Sequence, residues 1–369
     1  MKGPRQAGKT SFLERLGTHR VVYLDDAAVR RRAQEDPRGF LDSFAEPVVL
    51  DEAARAPALF PELKRRVDEW RRHRNAEPVD IWVTGSNQTL LRGEVSESLA
   101  GRATYLDLNT LSAHELSSQT PGFQPNTYFL KGGWPELYVS PELDAVRYLN
   151  DLVSTFVEGD IVSAAGIQKK AAFTKVLQLV AGRVGALLNA SEIGAVSGVE
   201  VTTVQAWLAI LEDNGIVYRL PPHYDNLNKR LIKSPKLYLL DTGLATRLQG
   251  WTELQPLLSS PLAGHLWENL VVGEVVRCFQ NRGLPPQLSF VRSKERVEVD
   301  LLVHLPNRRA VAIEIKWTPQ GFTSKQLALL ETLSLDIVAR WVVAGHRAPG
   351  SGQDVVLVEE LWDALDAVW

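Results

Sequence analysis

The stretch Gly3-Pro4-Arg5-Gln6-Ala7-Gly8-Lys9-Thr10, followed by Ser11, carries a phosphate-binding loop, and its reading decides the first fold of this chain. Gly3 and Gly8 let backbone N–H groups curl around phosphates, and Lys9 brings a point charge to the β/γ-phosphates. Thr10 offers a hydroxyl to Mg²⁺ at the start of a helix. Downstream, Val48-Val49-Leu50 runs into Asp51-Glu52, an apolar strand ending on two carboxylates. Together these predict a site for ATP and Mg²⁺.

Only Met1 and Lys2 precede Gly3, whereas such a loop ordinarily follows a buried central strand. The N-terminal side of the loop is therefore expected to lack sheet hydrogen bonds and core packing, with reduced nucleotide affinity.

Residues 1–118 alternate short β-rich runs with helical stretches, as a parallel α/β sheet demands: Arg20 to Leu24, Pro47 to Leu50, and Asp80 to Thr84. Each strand ends on polar residues, and open α/β sheets bind ligands beyond the carboxyl ends of their strands. Asp51 is then the Mg²⁺ partner of Thr10, and Glu52 orients or deprotonates the attacking water. Asn87 or Ser86 would sense the γ-phosphate. Arg102, at the end of Leu99-Ala100-Gly101-Arg102, stands where a neighbouring subunit, and so a homo-oligomer, or a closing lid could use it against transition-state charge; a plain surface or structural role is an equally good reading.

These segments, with Leu59-Phe60-Pro61-Glu62-Leu63-Lys64 and Thr84-Gly85-Ser86-Asn87, resemble a prokaryotic AAA-type P-loop ATPase family whose members carry a long C-terminal region of unknown function. That second region is matched by Lys131-Gly132-Gly133-Trp134-Pro135-Glu136, by Lys233 to Tyr238, by Asp241-Thr242-Gly243-Leu244 and by Glu314-Ile315-Lys316. The resemblance covers nearly the whole chain and implies a multidomain α/β protein.

The length of 369 residues bounds the chain at two to four domains. Residues 119–170 read as a helical linker or lid and 171–250 as a winged-helix-like block. There a first helix ends near Leu188 and Ser191 caps a second. Ser197-Gly198-Val199 makes the turn, and Thr202 starts a third helix with Val204, Leu208 and Leu211 inward. Strands follow at Ile216 to Leu220 and Lys236 to Leu240. A DNA-reading third helix would present Thr203, Gln205, Ala206 and Ala209. It carries no Lys or Arg, leaving phosphate contacts to Lys229, Arg230, Lys233 and Lys236, so a linking or protein-contact role is favoured.

Residues 251–369 hold a second constellation. Glu268 and Glu274 lie on a helix, Asp300 on one strand, and Glu314 and Lys316 on the next, as in a PD-(D/E)xK nuclease fold. Glu268, Asp300 and Glu314 are candidate metal ligands, and Lys316 would position or activate water for attack on a phosphodiester. A loop centred on Asn307 sets Asp300 opposite Glu314, whereas a one-residue slip splits the cluster. Gln326 falls on the following helix. An acid-x-Lys pattern on a solvated strand face is an equally good reading of these residues.

Other features exclude more than they assign. One cysteine, Cys278, rules out an internal disulfide framework, and the seven histidines show no paired zinc spacing. No apolar run is long enough to span a bilayer and no signal segment opens the chain, so a cytoplasmic protein without membrane contact is expected. A net charge of −3 gives no global attraction to nucleic acid. The basic runs Arg30-Arg31-Arg32 and Lys64 to Arg74 have acidic neighbours and read as solvated helix faces.

Three readings remain: ATP hydrolysis coupled to nucleic acid or a protein partner, a metal-dependent DNA endonuclease gated by the ATPase domain, and an inactive regulatory scaffold.

Overall fold

The computed structural model describes residues 1–45, 47–73, 78–85, 99–120, 122–155, 161–162, 165–224, 234–349, 352 and 354–369. Asn87 and Ser86, together with Lys229, Arg230 and Lys233 of the expected wing, lie outside them.

The N-terminal unit is a parallel sheet of β1 (Arg20–Tyr23), β2 (Val48–Asp51) and β3 (Ile81–Val83), with β2 in the middle. Val48, Val49 and Leu50 are almost fully buried, as a strand covered on both faces requires. Helix α1 (Lys9–Leu16) leaves the loop, and α4 (Leu59–Arg72) packs Leu59, Phe60 and Leu63 into a core of its own with Val22, Leu24 and Phe40. Two shorter helices, α2 (Ala27–Glu35) and α3 (Pro37–Asp42), are capped by the carboxylates of Asp26 and Asp36.

The expected lack of sheet bonds before the loop does not hold. The ammonium of Met1 donates to Val83 O at 2.6 Å. Lys2 N donates to Leu106 O and Leu108 N donates to Lys2 O, both at 2.8 Å. Met1 and Lys2 thus sit between β3 and the returning segment 106–108, because that segment runs parallel beside them. Gly3 has φ +153°, and a Cβ there would lie 2.0 Å from Leu108 O, so only glycine lets the backbone turn this closely into the loop. Beside β3, Met1, Trp82, Arg102 and Tyr105 line a groove of about 960 Å³.

Most of the rest of the chain shares one large apolar core, with two smaller clusters around Val299, Leu302 and Leu330 and around Val342 and Val355 of the C-terminal sheet. It begins with α5 (Ala113–Gln119), α6 (Pro125–Lys131), α7 (Glu136–Val139) and α8 (Ala145–Leu152). Then come α9 (Lys170–Ala181), α10 (Ala190–Ser197) and α11 (Val201–Asp213). The last two meet at 105° across Gly198, whose φ of 72° ends α10. Val204, Leu208 and Leu211 point inward as expected. Two boundaries differ from the sequence reading. Helix α9 ends at Ala181 rather than near Leu188, and the cap of α10 is Asn189, whose side chain accepts from Glu192 N, rather than Ser191. Strands β4 (Val217–Leu220) and β5 (Lys236–Leu239) pair antiparallel.

After α12 (Thr242–Leu248) and α13 (Leu254–Leu258), α14 (Ala263–Gln280) runs as a buried helix against a five-stranded sheet. Its strands are β6 (Leu288–Arg292), β7 (Glu298–His304), β8 (Arg309–Lys316), β9 (Asp336–Ala344) and β10 (Val355–Leu357), in the order β10-β9-β8-β7-β6. The first two pairings in sequence are antiparallel and the last two parallel. Leu301 pairs with Ile313 and His304 with Ala310, which continues to Asp300 opposite Glu314, the register that keeps the cluster together. Helix α15 (Ser324–Glu331) follows β8, and α16 (Leu361–Asp366) closes the chain against α14.

Candidate functional site

The phosphate-binding loop turns on Gln6, with φ 61°, and Gly8, with φ 87°, and delivers Lys9 at the first turn of α1. Lys9 is buried, and its Nζ donates to Gly3 O at 3.0 Å and Pro4 O at 2.8 Å, both carbonyls of its own loop. No carboxylate among the described residues closes on it as an ion pair. Burial therefore lowers its pKa from 10.5 to about 8, against the opposing pull of Glu52 and Asp51. A buried cation satisfied only by neutral oxygens is arranged to receive an anion.

Beside it, Thr10 Oγ1 donates to Asp51 Oδ2 at 3.1 Å. The buried Thr84 hydroxyl donates to Asp51 Oδ1, which fixes the carboxylate at the end of β2. Thr10 and Asp51, predicted 41 residues apart as Mg²⁺ partners, are thus in contact. Glu52 follows in a left-handed conformation at φ 55°, unusual for a glutamate, which turns the chain sharply past the strand end. Of the other loop residues, Ala7 is buried while Arg5, Gln6 and Ser11 are exposed.

The loop also touches the second half of the chain. Tyr148 Oη on α8 donates to Gln6 Oε1 at 2.9 Å. A Cβ on Gly8 would meet Pro135 at 3.9 Å, and one on Gly215 would meet Pro4 at 3.8 Å. Pro4 then lies over a buried polar hub. Asp241 there accepts from Thr110 Oγ1, Gly133 N, Trp134 Nε1 and Leu244 N at 2.9–3.1 Å. Arg277 bonds Thr110 Oγ1 and Leu240 O and pairs with Glu274 at 2.8 Å, and Glu274 accepts from Tyr128 Oη and Ala113 N. Gly132 at φ +70° makes room, since a Cβ there would lie 2.1 Å from Asp241 Oδ1.

Arg102 is not brought to the loop. Its guanidinium makes a two-pronged pair with Asp68 of α4, at 2.6 and 3.1 Å, on the wall of the groove beside β3.

In the C-terminal sheet, Asp300, Glu314 and Lys316 do come together. Lys316 Nζ lies 2.6 Å from Glu314 Oε1 and 3.6 Å from Asp300 Oδ2, and Ile315 N donates to Asp300 Oδ2 at 2.9 Å. Of the two helical glutamates, Glu268 faces this cluster and Glu274 belongs to the hub. Between Glu268 and the strands stands Lys236, which the sequence reading had offered to DNA phosphates. It is 3% exposed, with Nζ 2.7 Å from Glu268 Oε1 and 2.5 Å from Glu298 Oε1, so it cannot reach a nucleic acid. Tyr238 Oη donates to Glu268 Oε1 at 2.6 Å as well. Among the described residues, no three His, Cys, Asp or Glu side chains are grouped to hold a metal ion. Gln326 Nε2 donates to Glu298 O at 2.8 Å on the same side.

A phosphate loop on α1, a strand-end carboxylate on its threonine and a parallel sheet behind them define the class, and residues 1–117 match the family model described as AAA domain. Residues 123–255 and 263–359 match two models, each described as a domain of unknown function (DUF8612 and DUF4143). Uncharacterized proteins of Mycobacterium bovis and Mycobacterium tuberculosis are each 30% identical over 353 residues, covering 95% of this chain and 77% of theirs. An uncharacterized protein of Haemophilus influenzae is 25% identical over 271 residues, covering 66% of this chain and 67% of that one. The chain belongs to the family of these mycobacterial proteins, with an AAA domain at its N-terminal end. A Walker-type ATPase of Pyrococcus abyssi aligns at 15% identity with a TM-score of 0.42, covering 67% of this chain and 89% of that one. No single helix among the described residues is long and apolar enough to cross a membrane.

Proposed function

We propose that the chain binds ATP with Mg²⁺ on Gly3 to Ser11 and hydrolyses it, and that the helical middle of the chain responds to the occupied loop. The observation that carries this reading is Lys9, a buried ammonium held only by carbonyls beside an ordered Thr10–Asp51 pair. Thr10 and Asp51 present hard oxygen donors suited to Mg²⁺, which when bound neutralises charge on the phosphates. Glu52 orients or deprotonates water, Lys9 moves from its loop carbonyls onto the β/γ-phosphates, and the α1 N-terminus adds its N–H groups.

Isothermal titration with ATP and Mg²⁺ tests the site. Micromolar binding that disappears in Lys9→Ala supports it, and no binding to the parent chain overturns it. Glu52→Gln should keep the binding and lose turnover by about 10²-fold or more.

For the partner, protein contact is better supported than DNA. The exposed residues of α11 are Val201, Thr202, Gln205 and Ala206, with Glu200 at its start and no Lys or Arg on the helix.

A second reading, metal-dependent phosphodiester cleavage at Asp300, Glu314 and Lys316, is favoured by one observation. Glu314 is 3% exposed, yet its Oε2 has no hydrogen-bond partner. An orphaned buried carboxylate oxygen beside a second carboxylate fits a hard cation.

A further inference from the structure

The carboxylate cluster gathers Glu268 from α14, Glu298 and Asp300 from β7, and Glu314 from β8. Among the described residues, three side-chain cations face them. Lys316 lies on Glu314 and Asp300 and is partly open to solvent. Arg292 reaches the outer oxygen of Glu298 at 3.4 Å. Lys236 is different: it comes from the β4–β5 hairpin, outside the C-terminal sheet, and bridges the helix carboxylate to the strand carboxylate with two short contacts. An ammonium there stands where a cation bridging Glu268 to the strands would stand.

Its seat is firmly built. Tyr238, two residues along β5, fixes the same oxygen of Glu268. One turn of α14 is stapled to β5 by Asn269, whose amide accepts from Leu239 N at 2.7 Å and donates to Leu239 O at 2.8 Å. Lys236 is thus held at a fixed height against the cluster. On the other side Glu314 Oε2 remains unpartnered and buried, so the cluster is closed at one end and unsatisfied at the other.

We propose that Lys236 is a resident cation that weakens divalent-metal binding at the Glu268–Asp300–Glu314 cluster by holding Glu268. This rests on the second reading above, that the cluster is a metal site. A divalent ion needs several oxygens at about 2.0–2.6 Å. Lys236 occupies a Glu268 oxygen and adds a positive charge that also acts on Asp300. Replacing it by a neutral side chain frees a Glu268 oxygen and leaves that buried carboxylate calling for a cation, while the half-buried Glu298 keeps Arg292.

The test is Mn²⁺ binding to the full nucleotide-free chain, followed by electron paramagnetic resonance, for the parent, Lys236→Gln, Lys236→Arg and Lys236→Gln with Asp300→Asn. We expect Lys236→Gln to bind Mn²⁺ at least tenfold more tightly than the parent, Lys236→Arg to behave as the parent, and the added Asp300→Asn to remove the gain. Equal affinity in parent and Lys236→Gln overturns the role of Lys236 and leaves the metal site standing. No binding in either overturns both. If Lys236→Gln is poorly folded, thermal melting decides: recovery of the parent melting temperature in millimolar Mn²⁺ supports the proposal, and a variant that stays unfolded overturns it.

Discussion

Lys9 and Lys236 are both buried lysines within reach of carboxylates, yet the fold treats them in opposite ways. Among the described residues, Lys9 hydrogen-bonds only the carbonyls of Gly3 and Pro4, and burial pulls its pKa down to about 8. Lys236 faces the same burial, but Glu268, Glu298 and Asp300 more than offset it and hold the ammonium above its ordinary value. The first charge is under-compensated and calls for an anionic ligand; the second is compensated by the chain itself and needs none. The balance around a buried charge, more than the charge itself, separates a site that waits for a ligand from one that is shut.

The difference should show most in stability. Lys236→Met takes the cation away from the buried Glu268 and is expected to destabilise the chain by about 3–5 kcal/mol. Lys9→Met removes a cation that the nucleotide-free fold holds at a cost, and is expected to stabilise that form by about 1 kcal/mol while destroying ATP binding. Urea denaturation of both variants without nucleotide checks the pair. The same sign for the two would break the comparison.

Much of the first site was legible because a phosphate loop is local: eight consecutive residues specify backbone shape, charge and hydroxyl together. Asp51 was legible because an apolar strand must end where an open sheet binds ligands. The register of Asp300 and Glu314 hung on the parity of the loop at Asn307, which the sequence left open and the pairing of Leu301 with Ile313 decides. Lys236 was missed as part of the cluster, since its partner Glu268 lies 32 residues away and only packing of the hairpin on α14 joins them. A signal was present in Lys236-Leu237-Tyr238-Leu239, a strand buried at every position with a charge at its start, which has to find a partner inside. The Asp241–Arg277–Glu274 hub was hidden likewise, because Arg277 sits in the apolar run of α14. Both missed groups are long-range, and sequence spacing carries no record of which faces meet.

Alkaline pH offers a middle-sized effect that sharpens the contrast. ATP needs Lys9 charged, and in the free chain its pKa is about 8. Affinity is therefore expected to fall above pH 8 by up to about tenfold per pH unit. Lys9→Arg should flatten that profile, since a guanidinium stays charged. For folding, the sign is reversed. The folded value lies below the unfolded 10.5, so the unfolded chain holds more protons between about pH 8 and 10.5, and Lys9's contribution to stability rises with pH there. Lys236, shifted upward, contributes stability that is fully present below 10.5 and is lost only as pH climbs through its higher folded value. Titrating ATP affinity from pH 7 to 9 in parent and Lys9→Arg reads the first effect; a flat parent profile would show that Lys9 is not the anion's partner.

Arg102 supplies the smallest effect and a third case: compensated like Lys236, but partly open to solvent. Its two-pronged pair with Asp68 has both side chains roughly a quarter to a third exposed, at 26% and 30%, where an ion pair contributes at most about 1 kcal/mol. Arg102→Ala and Asp68→Ala should therefore each change stability by less than about 1 kcal/mol. If the Asp68 pair describes its working state, Arg102→Ala should also leave ATP turnover within about twofold of the parent, since the guanidinium is engaged away from the loop. An arginine acting on a neighbouring subunit's nucleotide would have to leave Asp68 first. Its loss would then lower turnover by about 10³-fold, and Asp68→Ala would raise turnover by freeing it. Measuring both variants over a range of protein concentrations separates these outcomes, because only the intersubunit role depends on assembly.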